Sequence, residues 1–327
     1  MANHIETYPH MLYSLHVENL SLIAIAIIFV VVLGGGTRTD RPNVTNAYIT
    51  DPIRLSQRSA HQEQFKQVDV SNVLTDAEAL RYRNYLARKR YKGLRYPETS
   101  ARPVWARVSY VVLERDHRVL MTFDDRYYFG MAGNSTSFGL FSFLGGDSKQ
   151  LIVSQDVNRG GAQWIAKLSQ SPRIIFNSSK WGVGREVNDM GIIDLDNDGV
   201  FEITAPICDF YDLQDKMSMS QIPLPTIVLK YDPEKEKYLP ANPLFQDYLI
   251  EGTTDFENVG TGDEFNHRSI VLGRVLDLIY AGKQRDAWKY FERAYKLNDK
   301  VDIKRRVKSI LARQPVYNFI YNHGKKY

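Results

Sequence analysis

One short segment of this chain, GIIDLDNDGVFEI, has residue types and spacing suited to binding a cation. It carries three aspartates at alternate positions, then Gly199, and a glutamate three residues after that glycine. Hard cations such as Ca²⁺ bind about six to eight oxygen atoms, and alternating carboxylates of a tight loop can converge on one ion. Glycine permits the sharp turn that such a loop requires. The predicted Ca²⁺ ligands are Asp194, Asp196, Asp198, the backbone carbonyl of Val200, and Glu202.

The residues around this segment indicate a loop between two strands. An EF-hand loop would place a glutamate at its twelfth position, where this chain has Ala205. The flanking residues, among them Ile193 and Ile203, are typical of strands. At these residues the sequence resembles the FG-GAP and VCBS repeat families, integrin-like β-propeller modules whose loops read D-x-D-x-D-G-x-x-D/E. The resemblance covers one loop and implies an exported, calcium-loaded β module used for adhesion, assembly or ligand binding.

Alternating hydrophobic residues before and after the loop predict a series of short strands with turns between them. No helical periodicity intervenes, so residues 104–265 are expected to form an antiparallel all-β domain, either propeller-like or a sandwich. A turn at Gly145 and Gly146, which tolerate positive φ, is expected to connect one pair. The strands are predicted at Val108–Leu113, Val119–Phe123, Phe138–Leu144, Leu151–Ser154, Trp164–Leu168, Arg173–Phe176, Ile203–Ile207 and Ile227–Tyr231.

The C-terminal segment, residues 266–327, returns to a helical period. Three helices are predicted, with a break at Gly282 and an end at Pro315. The spacing of Ala287, Phe291 and Ala294 in the second is similar to a tetratricopeptide helix. A single such unit does not build a solenoid, so the segment is interpreted as a helical cap, and the whole fold class is α+β.

The N-terminal residues 1–40 are interpreted as a signal peptide or a membrane anchor. The run Leu20–Leu33 is apolar and uncharged, and three glycines follow it. It is short for a span of the bilayer, and no lysine or arginine precedes it as a signal peptide would require. Either alternative places the protein in the cell envelope, as a single-pass anchored protein or as an exported periplasmic or extracellular one.

Residues 41–103 are interpreted as a polar tether followed by a basic helix. Thr75 and Glu78 have the spacing of a capping box, Ala77–Lys92 contains no helix breaker, and Gly93 follows. Tyrosines alternate with arginines and lysines along it. Two interpretations remain open, a surface for an anionic partner or a solvated face with its tyrosines packed on the β domain.

Charge is unevenly distributed, since the middle of the chain is acidic and both flanking segments are basic. The predicted partner-binding residues are Lys304, Arg305, Arg306 and Lys308. They could face lipid head groups or an acidic subunit, so we expect a protein partner or membrane complex, or an anionic membrane surface, and not nucleic acid. The alternative is an ordinary solvated helix face.

Enzyme signatures are scarce. No G-x-S-x-G, Walker, H-E-x-x-H or G-x-G-x-x-G motif occurs, and a single cysteine, Cys208, excludes an internal disulfide framework. The paired carboxylates Asp124 with Asp125 and Asp209 with Asp212 could serve glycoside hydrolysis. The sequence therefore favours a calcium-binding structural or interaction module of the cell envelope, such as an accessory subunit of a membrane assembly. The alternative is a calcium-stabilised envelope hydrolase acting on a polymer.

Overall fold

The computed structural model describes residues 53–56, 65–95, 105–124, 134–157, 160–183, 190–250, 261 and 263–322. The apolar run Leu20–Leu33 lies outside these residues. Within the described ranges, no helix combines the length and the apolar character that a membrane crossing requires. The described residues all belong to one compact unit, Val44–Tyr327.

Antiparallel strands and C-terminal helices confirm the α+β class. The strands are β1 (Ile53–Ser56), β2 (Phe65–Val68), β3 (Ala79–Tyr82), β4 (Tyr85–Arg95), β5 (Trp105–Arg115), β6 (Arg118–Phe123), β7 (Asn134–Phe141), β8 (Gln150–Val157), β9 (Gly160–Lys167), β10 (Arg173–Asn177), β11 (Gly191–Asp194), β12 (Glu202–Pro206), β13 (Thr226–Asp232) and β14 (Lys237–Pro240). The helices are α1 (Val70–Val73), α2 (Ser178–Trp181), α3 (Gln246–Ile250), α4 (Glu264–Tyr280), α5 (Gln284–Ala294), α6 (Lys300–Arg313) and α7 (Pro315–Tyr321).

The strands form three antiparallel sheets. The first sheet has the order β3-β4-β5-β6, the middle sheet β10-β9-β8-β7, and the third sheet β1-β2-β11-β12-β13-β14. Each sheet thus contains four strands that are consecutive in the chain, as short hairpin connections favour. The predicted strands from Val108 to Phe176 are confirmed, and they pair as the hairpins β5–β6, β7–β8 and β9–β10. Gly145 and Gly146, in the β7–β8 turn, have φ of 72° and 63°.

The middle sheet is buried on both faces because side chains alternate along each strand. Leu151 and Trp164 pack in one core with Val111 and other residues of the first sheet. Ile152 and Ile165 pack in the other core with residues of the third sheet. The sheets are therefore layered in chain order, with the middle sheet between the other two.

The predicted basic helix, Ala77–Lys92, is wrong: these residues form the hairpin β3–β4. Tyr85 and Ala87 are buried in the core between the first and middle sheets, whereas Arg90 on the opposite face is exposed. Burial therefore follows a period of two, and tertiary packing decided against the helix propensity of the individual residues. Thr75, the predicted cap, instead forms a β-bridge with Phe138.

The predicted C-terminal helices are present as α4, α5 and α6, and Gly282 separates the first two with φ of 85°. Pro315 ends α6 as predicted, but it also begins a fourth helix, α7, that the sequence did not reveal. Proline suits a first helical position because its missing N–H would have no partner there. Core residues of these helices, such as Val275, Phe291 and Val307, belong to the cluster that also contains the third sheet.

Candidate metal centre

The acidic segment forms a loop between β11 and β12, as the sequence predicted. Asp194 is the last residue of β11 and Glu202 the first residue of β12. The Gly199 N–H donates to Asp194 Oδ2 at 3.2 Å, and the Val200 N–H donates to Asp198 Oδ1 at 2.8 Å. Gly199 has φ of 82°, which confirms the turn expected of it. Backbone N–H groups of the loop therefore hydrogen-bond to the loop's own carboxylates.

Contacts from the rest of the fold fix the loop in place. The Phe201 N–H donates to the carbonyl oxygen of Phe143 at 2.9 Å, and the Tyr238 hydroxyl donates to the Phe201 carbonyl at 2.9 Å. The β7–β8 turn also approaches closely, since a Cβ added to Gly145 would lie 2.9 Å from the carbonyl oxygen of Gly199. The middle and third sheets together thus position the loop.

Three of the predicted ligands converge. Asp194, Asp196 and Glu202 each offer a carboxylate oxygen, and these oxygens lie within 4.8 Å of one another. Asp194 and Glu202 are 0% exposed. Glu202 Oε2 accepts a hydrogen bond from the Leu195 N–H at 2.8 Å, whereas Asp194 Oδ1 is buried without a hydrogen-bond partner among the described atoms. A buried carboxylate oxygen without a donor is costly, so this position favours a cation.

Asp198 lies at the outer side of the same cluster, and Val200 contributes its N–H to the loop as described above. The side chains of Asp196 and Asp198 are 40% and 43% exposed. The cluster therefore has a closed inner side, formed by Asp194 and Glu202, and an outer side open to water.

Lys230 contacts the acidic loop and is absent from the residues that the sequence analysis selects. Its Nζ donates to Asp196 Oδ2 at 2.6 Å, to Asp198 Oδ2 at 2.8 Å and to Glu202 Oε1 at 3.0 Å. It lies on β13, next to Leu229, which pairs with Ile203 of β12. The available signal was a single lysine in the otherwise apolar strand IVLKY, but the strand register that brings it to the loop is not visible in the sequence.

The electrostatics follow from burial and from this ammonium group. Burial raises the pKa of Glu202, although the Leu195 N–H and Lys230 act in the opposite direction. Burial also acts to raise the pKa of Asp198, but hydrogen bonds from Lys230 and the Val200 N–H lower it overall. Burial acts to lower the pKa of Lys230, but its hydrogen bonds to three carboxylates raise it above the usual value. Burial thus determines the direction of the pKa shift at Glu202, whereas contacts with opposite charge outweigh burial at Asp198 and Lys230.

The donor set fits a hard divalent cation. All predicted ligands are oxygens, which Ca²⁺ and Mg²⁺ prefer over the nitrogen and sulfur that softer metals select. Lys230 supplies one positive charge to a cluster of four carboxylates, so the ionised cluster retains an excess of negative charge that a divalent ion would reduce. The residues of the loop can therefore hold an ion. Three of their carboxylates already bind the Lys230 ammonium group.

The predicted partner-binding residues share one helix, α6, and are engaged within the fold. Arg306 donates to both carboxylate oxygens of Asp215, at 2.8 and 2.9 Å, and Arg305 donates to Asp302. Lys304 donates to Glu292. The ammonium groups of Lys304 and Lys308 also lie over the ring of Trp288, at 5.5 and 5.4 Å from its centroid. Their role toward a partner stays a prediction.

The carboxylate pairs considered for hydrolysis have different surroundings. Asp124 accepts a hydrogen bond from Lys92, and its neighbour Asp125 lies outside the described residues. Asp209 and Asp212 line one pocket of about 260 Å³. The Arg313 guanidinium, also in that pocket, donates to Asp212 Oδ2 at 3.0 Å. Of the two pairs, Asp209 and Asp212 are both described, and they share this cavity.

Comparison of this chain with protein-family models, with curated proteins and with solved structures finds no match. The resemblance of the acidic loop to FG-GAP and VCBS repeats accordingly stays a prediction that rests on the loop residues.

Proposed function

We propose that this protein is a calcium-binding structural or interaction module of the cell envelope, with Ca²⁺ held by the loop from Asp194 to Glu202. One observation carries the proposal: Asp194 Oδ1 is buried without a hydrogen-bond partner, and its carboxylate belongs to a converging acidic cluster. Neutral hydrogen-bond donors already satisfy Asp194 Oδ2 and Glu202 Oε2. On the buried side, the oxygens left for a cation are Asp194 Oδ1 and Glu202 Oε1.

A bound ion would act as a structural cross-link. Asp194 ends β11 and Glu202 begins β12, so an ion on both carboxylates joins two adjacent inner strands of the third sheet. The same loop contacts the β7–β8 turn of the middle sheet. Ion binding would therefore stiffen the junction between two layers, as a rigid scaffold for binding other molecules requires.

The proposed compartment follows from the apolar run Leu20–Leu33 and from the open outer side of the site. Calcium sites of modules outside the cell are commonly weak, with dissociation constants of about 10⁻⁴–10⁻³ M. A partly exposed loop with few buried ligands suits that range. An accessory role in a membrane assembly, or contact with an anionic membrane surface, would use the basic segments that flank the acidic middle of the chain.

For the finer architecture we favour a propeller-like arrangement over a flat sandwich. Each sheet contains a run of four consecutive antiparallel strands, namely β3–β6, β7–β10 and β11–β14, which is the composition of a propeller blade. The layering of these sheets in chain order also suits blades that pack face to face. The strands β1 and β2 add to the third sheet beside β11.

Thermal unfolding of the full-length protein with Ca²⁺ and with a chelator tests the metal proposal. At an ion concentration about a hundredfold above the dissociation constant, binding to the folded state adds about 2.7 kcal/mol, so Ca²⁺ should raise Tm by about 5 °C. Asp194→Asn should abolish that rise, and Asp196→Asn, at an exposed ligand, should reduce it. Asp116→Asn removes the same charge from the exposed β5–β6 turn and should leave it unchanged. Equal Tm values for the wild type in Ca²⁺ and chelator would refute the proposal.

The hydrolase remains a second candidate because Asp209 and Asp212 line the same pocket. An acid and a base on one cavity wall are the minimum for glycoside hydrolysis. Release of reducing ends from envelope polysaccharides by the wild type, lost in Asp209→Asn and in Asp212→Asn, would support this function. Equal turnover by the wild type and both variants would reject it.

A further inference from the structure

We propose that Lys230 is a built-in competitor of Ca²⁺, whose ammonium group occupies the ion's carboxylates and must leave when the ion binds. This inference rests on the proposed metal site and adds a residue that sets its affinity. The carboxylates of Asp196, Asp198 and Glu202 bind the Lys230 ammonium, and all three belong to the predicted ligand set. The same oxygens cannot fully serve both cations.

The geometry of the contacts makes the two cations exclusive. A lysine ammonium has three N–H donors, and the three carboxylates accept one each, at 2.6–3.0 Å. Ca²⁺ would bind Glu202 Oε1 at about 2.3–2.6 Å, and Nζ lies 3.0 Å from the same oxygen, so the two cations would lie less than about 6 Å apart. Two cations at that separation repel strongly in a partly buried site. Ion binding therefore requires Lys230 to move.

Lys230 has a short route out of the site. Its side chain is 24% exposed, and the carboxylates of Asp196 and Asp198 on the outer side are more exposed still. Rotation of its flexible stem would carry the ammonium group into water. The backbone pairing of Leu229 with Ile203 need not change. Displacement is thus a side-chain event and not an opening of the sheet.

Competition of this kind has three consequences. The ion-free loop stays folded because Lys230 compensates part of its charge, and the apparent affinity for Ca²⁺ falls by the factor that the lysine contacts contribute. The site would then fill where Ca²⁺ is abundant and empty readily where it is scarce. Ca²⁺ binding would also expose the displaced Lys230 ammonium group on the surface next to the loop.

Amine labelling of the full-length wild type tests the displacement directly. An acetylating reagent would be applied with saturating Ca²⁺ or with chelator at equal ionic strength, and peptides would be quantified by mass spectrometry. Labelling of Lys230 should increase at least about threefold with Ca²⁺ because the ammonium group becomes accessible. Lys235, which pairs with Asp232 in the β13–β14 turn, is the matched control and should not change.

Calcium titration calorimetry gives the second measurement. Lys230→Met should bind Ca²⁺ about tenfold more tightly than the wild type, since the competing cation is gone. Lys230→Gln, which keeps a hydrogen-bond donor without the charge, should behave similarly, and Lys235→Met should match the wild type. Equal affinity in all proteins, with unchanged labelling of Lys230, would overturn the competition and leave the metal site standing. Absence of Ca²⁺ binding by both the wild type and Lys230→Met would overturn the metal site and this inference together.

Discussion

Two ionic clusters of this protein, the acidic loop with Lys230 and the basic face of α6, contain similar groups in different settings. In the loop, strands from the third sheet hold Asp194 and Glu202 away from water, so their charges need a partner inside the fold. On α6, Lys304 and Arg306 bind Glu292 and Asp215 at the surface, where water can replace either partner. Burial, and not the number of ion pairs, therefore decides which cluster matters for stability.

The largest effect is expected when the Lys230 ammonium group is removed from the loop, and this effect distinguishes the two clusters. Lys230→Met in the presence of chelator should lower the free energy of unfolding by about 2 kcal/mol, because the carboxylates of Asp196, Asp198 and Glu202 then lack their common partner. Urea unfolding followed by circular dichroism measures it. Saturating Ca²⁺ should restore most of the loss. A loss that Ca²⁺ does not reverse would show that Lys230 stabilises the sheet by packing alone.

A half-buried carboxylate outside the loop, Asp277, sharpens the comparison. Asp277, near the end of α4, has a pKa raised to about 6 by burial, although Arg274 opposes the shift. An acid whose pKa is higher in the folded state stabilises the fold at low pH and loses that contribution as the pH rises from about 4 to 6. Asp277→Asn should therefore be more stable than the wild type at pH 7.5, by about 1–2 kcal/mol, and equal to it near pH 3.5.

Melting curves of the wild type and Asp277→Asn across this pH range, in chelator, provide the test. Asp302 on α6 has a lowered pKa, through its hydrogen bond with Arg305 and nearby arginines, so Asp302→Asn should show no gain at neutral pH. A pH-independent difference between Asp277→Asn and the wild type would mean that Asp277 is not titrating between pH 4 and 6.

The smallest effect is expected on α6. Lys304→Met removes an ammonium group that contacts Glu292 and the Trp288 ring, yet exposed pairs of this kind contribute only about 0.2–1 kcal/mol. The free energy of unfolding should change by less than about 0.5 kcal/mol, and added salt should reduce the change further. A loss comparable to that of Lys230→Met would contradict the distinction between buried and surface clusters.

Local patterns in the sequence were sufficient for several parts of the fold. The β5–β6 and β7–β8 hairpins follow from alternating residues around short turns, and three C-terminal helices follow from a helical period. Uninterrupted helix-forming residues and a cap-like pair predict a helix over Ala77–Lys92, yet these residues form the hairpin β3–β4. Packing of Tyr85 and Ala87 on the middle sheet decided otherwise, and that contact is not encoded within the segment itself.

The sequence by itself determined the acidic loop, because its carboxylates and Gly199 are close neighbours in the chain and their spacing alone dictates a tight turn between strands. It did not reveal Lys230, which follows Asp196 by 34 residues. Only the pairing of β12 with β13 brings that ammonium group to the carboxylates, and strand register depends on the packing of both faces of the sheet. The burial of Asp194, which leaves one oxygen without a partner, is likewise a property of the assembled layers.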